Sequence, residues 1–191
     1  MSTTNLFVEL LVTGFGALIW MLFTVISFFG WEWIPLSTVL SAEGIAPIFA
    51  ITYLLGIVTD RVSDVLFEHF FTRSLREKYF SNSHEYHEAR LTVITKSDRL
   101  AALHEYARSR LRICRGWTLN FCFIAISTNV FIWSQRQSLT SSLLLSVFIT
   151  LFCVFLTVGC WFTWSRLTAT EYIRLKEQSK FLRNEETRQM H

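Results

Sequence analysis

Two prolines and seven glycines in 191 residues leave little material for long loops or flexible linkers. The four cysteines, Cys114, Cys122, Cys153 and Cys160, sit in or beside apolar runs and form no CxxC pair. Their placement argues against a disulfide framework and against a cysteine zinc site. The chain has no Gly-rich phosphate loop, no GxSxG, no HExxH and no Ser/His/Asp or Cys/His order, so the usual signs of phosphoryl transfer, ester hydrolysis and metalloproteolysis are missing. The opening residues MSTTN carry no Lys or Arg, and the apolar run behind them is longer than a signal-peptide core. That run is therefore expected to stay as a membrane span. No C-terminal lipidation box follows at the other end.

What the chain does contain is apolar sequence in long runs. Hydrophobic residues make up 51% and aromatics 16%, and the mean hydropathy is +0.35. This composition predicts an integral membrane protein. The runs at 6–29, 116–134 and 139–164 are each long enough to cross about 30 Å of hydrocarbon at about 1.5 Å per residue. A fourth span is expected over 45–66, with Pro47 at its start, where the missing N–H costs nothing. Its inner end would carry Asp60, Arg61 and Asp64. The expected fold is all-α: a four-span transmembrane helical bundle whose long helices extend into a cytoplasmic helical stalk.

Charge sets the expected orientation. Eleven of the 18 Lys and Arg lie between Asp60 and Arg115 and six follow Trp164, whereas 30–44 has none. The positive-inside rule then puts the extension 67–115 and the tail 165–191 in the cytoplasm, with both termini. Trp31, Trp33 and Trp133 would mark the outer interface, and Trp117, Trp161 and Trp164 the inner one, as an aromatic belt.

Beyond the second span, Val62, Val65, Leu66, His69 and Phe70 continue a helical stripe up to FSNSHEYHE, which reads as a turn. A new helix is expected from Ser97 as N-cap, with Leu100, Leu103, Ala107, Leu111 and Cys114 on one face, running into the third span. The two long helices would pack antiparallel beneath the bilayer.

Three constellations stand out. Asp60, Arg61 and Asp64 can meet on one side of a helix and lie at about the depth of Arg112 and Arg115 on the next, which suggests an inter-helix charge lock. The ordinary alternative is an interfacial charge cluster. Arg108, Arg112 and Arg115, spaced four and three, make a basic face for lipid headgroups or a protein partner, or serve only to orient the chain. Asp98 and Glu105 dilute that patch, so direct nucleic-acid binding is not expected. Ser142, Ser146, Thr150, Cys153, Thr157 and Cys160 form a small, polar stripe in the last span, suited to helix packing inside one bundle or to an oligomer axis. Glu9, Thr13, Gly16, Trp20 and Thr24 in the first span, and Asn120 and Ser127 in the third, behave likewise. His84, Glu85, His87 and Glu88 read as a solvated turn, and no metal site or cofactor is expected.

A small four-pass chain with a short cytosolic helical stalk and no catalytic set is similar to the membrane subunits of bacterial anti-phage operons, that of the Kiwa system among them. The similarity spans the chain as architecture and transfers no functional residue. It implies a homo-oligomeric sensor in the cell inner membrane that docks a cytosolic partner. The expectation is thus a non-enzymatic membrane scaffold in contact with lipids. A pore-forming or channel-like effector is the alternative.

Overall fold

A computed structural model of the chain describes residues 3–32, 41–135 and 139–189. Trp33, Pro35 and Arg136 lie outside that set. The described residues are helical, without a strand, and run as α1 (Thr3–Phe29), α2 (Ala42–Phe67), a π-helical turn (Glu68–Thr72), α3 (Arg73–Tyr79), α4 (Ser83–Lys96), α5 (Asp98–Ser134) and α6 (Leu139–Gln189). Four of these helices are long and apolar enough to cross a membrane, the architecture of a multi-pass membrane protein. Two of them are much longer than a crossing needs. α5 has 37 residues and α6 has 51, so they extend about 55 and 76 Å. Their surplus length, with α3 and α4, builds a stalk at one end of the bundle.

The helix ends follow local chemistry. Gly30, with φ +75°, ends α1 in a conformation that side chains resist. The Ser41 hydroxyl accepts from the Gly44 N–H at 3.3 Å and starts α2 earlier than Pro47, which lies inside the helix instead of opening it. Asn82 accepts from the Glu85 N–H at 2.9 Å, while the Glu85 carboxylate accepts from the Ser81 N–H at 2.8 Å. This reciprocal capping turns the HEYHE segment into the first turns of α4, where the sequence reading expects a loop. Ser97 caps α5 at Leu100, as the sequence reading places it.

α1 and α5 form the centre of the bundle. α5 packs most extensively on α6 and α1, α1 also packs along α2, and α2 meets α5 over a shorter stretch. The α1–α2 approach depends on two glycines. A Cβ at Gly14 would stand 1.8 Å from the Thr52 carbonyl oxygen, and one at Gly56 would stand 2.0 Å from that of Leu10. Asn120 of α5 is fully buried and donates to the Thr13 carbonyl at 2.8 Å.

The polar stripes of the spans are consumed within the chain. Asn129 donates to Thr150 at 2.9 Å and accepts from Ser146, and Thr157 lies 3.9 Å from the Cys122 sulfur. Ser142 and Cys153 are buried, and Cys160 is half-buried. Of the first-span set, Glu9, Thr13 and Gly16 are buried, and Thr24 bonds to its own Trp20 carbonyl. In α5, Ser127 is buried as well. The outward surface is apolar: only 11% of the most apolar window of α6 is buried, so lipid or another chain must cover the rest.

Two expectations need correction. Val62, Val65, Leu66 and Phe70 are exposed, and the inward residues of that segment are Ser63 and Phe67. In hydrocarbon the apolar face turns outward and the polar side chains turn to protein, which inverts the pattern of a water-soluble helix. Likewise Trp164 is not a belt residue. It is 2% exposed, with its ring 4.7 Å from Phe67 and 6.2 Å from Phe71. The stalk is also more than two antiparallel helices, because α3 and α4 fold onto α6 around Phe80, Ala89, Val93, Tyr172 and Leu175.

Candidate functional site

Where the bundle meets the stalk, every helix contributes to one cavity of about 830 Å³. α1 supplies Leu6, Glu9, Leu10 and Thr13, and α2 supplies Tyr53, Ile57, Asp60, Arg61 and Asp64. Glu68 and Thr72 come from the π turn, Arg76 from α3, and Tyr86, His87 and Arg90 from α4. α5 contributes His104, Glu105, Arg108, Leu111, Arg112 and Arg115, and α6 contributes Trp164, Thr168, Glu171 and Tyr172. The volume falls within the range of small-molecule sites, about 300–1,000 Å³.

The charges on its walls divide into paired and unpaired groups. Arg115 donates to Asp64 at 2.5 Å, joining α5 to α2. Arg76 donates to Glu68 and stacks over the Tyr86 ring at 5.2 Å. His104 lies 2.9 Å from both Glu171 and Gln178 of α6. The Glu171 carboxylate, against a partly desolvated ring, raises the His104 pKa from its ordinary value. Glu9 is buried and accepts a hydrogen bond from Ser109, with its second oxygen unpartnered.

Arg90, Arg108 and Arg112 stand apart. Among the described residues, none of the three has a hydrogen bond or an ion pair. Arg108 is exposed as a residue, with its guanidinium partly desolvated by its neighbours. Desolvation, and then the neighbouring Arg90 and Arg112 charges, lower its pKa from the ordinary guanidinium value. Part of the cavity lining is thus a concentration of basic charge, with Glu105 as an electrostatic neighbour of Arg108 and Arg112.

Of the five residues expected in a charge lock, the structure pairs Asp64 with Arg115 alone. Asp60, Arg61 and Arg112 line the same cavity, none of them in an ion pair among the described residues, and Arg61 is exposed. The physical reason is the limited α2–α5 contact: α2 lies mainly along α1 and reaches α5 at few points. Arg108, Arg112 and Arg115 do share a face, and that face lines the cavity. His84 and Glu88 are exposed at the α4 surface, and His87 lines the cavity. Among the described residues, no three His, Cys, Asp or Glu side chains group to hold a metal ion.

Sequence reasoning missed Arg90, the His104–Glu171 pair and Tyr172. Arg90 sits on a helix whose capping residues, Asn82 and Glu85, were the available signal. The His104–Glu171 pair spans 67 positions, and nothing local marks it. No protein-family model, curated protein or solved structure matches the chain.

Proposed function

We propose that this chain is a non-enzymatic subunit of a bacterial inner membrane, with its stalk and both termini in the cytoplasm, that self-associates and docks a cytosolic protein. The observation that carries this reading is the surface of the stalk. Leu91 of α4, Leu103 and Tyr106 of α5 and Phe181 of α6 are each more than half exposed, although all lie outside the apolar spans. Apolar side chains in that position favour coverage by protein. The basic residues of 61–115 and of the tail favour the cytoplasmic side. The outward apolar face of α6 leaves room for a second copy within the bilayer.

A pore finds less support. The polar side chains that could line one, Asn120, Asn129, Ser146 and Thr150, bond to each other or to backbone inside a single chain. The test uses the full chain, expressed with the products of its neighbouring genes and extracted in mild detergent. A discrete oligomer carrying a cytosolic protein is expected, with the cytosolic protein lost in Leu91→Asp and Leu103→Asp variants. A monomer that binds none of those products would sink the proposal.

A further inference from the structure

The unpaired basic wall of the cavity is larger than orientation of the chain requires. We propose that Arg90, Arg108 and Arg112 form a binding site for a phosphate-bearing anion, drawn either from an anionic phospholipid headgroup or from a soluble phosphorylated small molecule. Three guanidiniums from two helices line one partly open cavity, and among the described residues none of them makes an ion pair. Glu9, Asp60 and Glu105 also line that space, and Glu105 interacts electrostatically with Arg108 and Arg112 without a bonded contact. Like charges held together without bonded counter-ions repel, so an anion placed between them relieves the repulsion and gains charge-assisted hydrogen bonds.

A fourth arginine points the same way. The Arg115 side chain is 15% exposed and spends Nη1 on Asp64, while its Nε is buried without a partner. The planar fork of arginine suits phosphate oxygens in bidentate geometry. Leu6, Leu10 and Ile57 add apolar side chains to the same lining. A lining that mixes basic and apolar groups suits a molecule with a charged head and a greasy tail.

Depth agrees with a headgroup. From Arg108 to Arg115 the helix rises about 10 Å, enough to cross the polar layer of about 5–8 Å on one side of a bilayer. Arg115 immediately precedes the apolar run 116–134. The inference holds whether or not the stalk docks a protein, because it rests on the cavity alone.

The experiment reconstitutes the full chain in nanodiscs of phosphatidylcholine and titrates, in separate arms, a short-chain phosphatidylglycerol and inorganic pyrophosphate. Saturable binding of phosphatidylglycerol alone assigns the site to a lipid headgroup. Saturable binding of pyrophosphate, alone or with the lipid, assigns it to a phosphate group reachable from water. Each basic residue contributes about 1 kcal/mol toward an anionic headgroup, so Arg108→Gln or Arg112→Gln should weaken binding about fivefold and the triple variant with Arg90→Gln about a hundredfold. Arg108→Lys keeps the charge, loses the fork and should weaken binding less than Arg108→Gln, which keeps the test open if the glutamine variants fold poorly. Arg110, stacked 5.9 Å from the Tyr106 ring and outside the cavity lining, is the control. Binding of neither ligand overturns the proposal. So does an Arg110→Gln loss equal to that of Arg108→Gln, which would mark diffuse surface attraction.

Discussion

Alanine at Gly56 adds a single methyl group where two helix backbones nearly touch. The new Cβ would sit 2.0 Å from the Leu10 carbonyl oxygen, 2.8 Å from its carbon and 3.2 Å from its Cα. All three atoms are backbone, so no side-chain rotation relieves the contact. Restoring ordinary separation requires α1 and α2 to part by more than about 1 Å, which loosens the packing along the whole crossing. Overpacking of this kind costs about 3 kcal/mol or more. Helix propensity favours alanine over glycine by about 1 kcal/mol, which leaves a net loss of about 2 kcal/mol. For a chain of this size that is a fall in Tm of about 4–8 °C. The assay is thermal unfolding of the purified chain in mild detergent, followed by loss of helical circular dichroism. Gly14→Ala should behave alike, since its Cβ would stand 1.8 Å from the Thr52 carbonyl oxygen. Gly159→Ala is the built-in comparison: nothing lies within 4 Å of its added Cβ, so propensity alone should leave Tm unchanged or higher. Equal Tm values for all three variants and the parent chain would refute the close approach of α1 and α2.

Two further outcomes follow from the charged cavity. Asp64→Asn and Arg115→Gln should each cost about 1 kcal/mol, a value kept low because Asp64 is 49% exposed. Their double variant should lose less than the sum, and strict additivity in thermal unfolding would show that the pair is not coupled. His104 has a raised pKa in the folded chain, chiefly through Glu171, so its contribution is fully present below about pH 6.5 and is lost as pH climbs through the raised value. Arg90 opposes that shift and Gln178 supports it. The Tm advantage of the parent chain over His104→Leu should therefore be largest in mild acid and shrink in alkali, and a pH-independent difference would count against the ion pair.

The spans were legible because hydropathy over some twenty residues depends on the solvent and not on which helix lies beside which. The start of α5 was legible for a local reason, the Ser97 cap. Other features needed the third dimension. The stripe Val62, Val65, Leu66 and Phe70 looks buried by the rules of water and faces outward by the rules of lipid. Gly14 and Gly56 are unremarkable in sequence, and their role arises from a crossing between residues 38 and 46 positions apart, Gly14 with Thr52 and Gly56 with Leu10. The Asp64–Arg115 pair was within reach because membrane depth narrows the choice of partners. Arg90 was not, because α4 read as a turn and its depth was therefore undefined.

The π-helical turn at Glu68–Thr72 has a consequence for side-chain register. Along α2 the inward positions fall at Thr59, Ser63 and Phe67. An uninterrupted α-helix would next turn Phe71, Ser74 and Lys78 inward. Instead Ser74 and Lys78 are exposed and Phe71 is only edge-packed on Trp161 and Trp164, while Thr72, Leu75, Arg76 and Tyr79 are at least partly buried. The wide turn takes up one extra residue and advances the phase of everything after it. That offset is what delivers Arg76 to Glu68 and to the cavity wall. One continuous rod therefore obeys two angular codes, one written for lipid and one for the stalk, and the splice between them is a single residue long. Deleting any one residue of 68–72 would put both halves in the same code and swing the whole of α3 by about 100°.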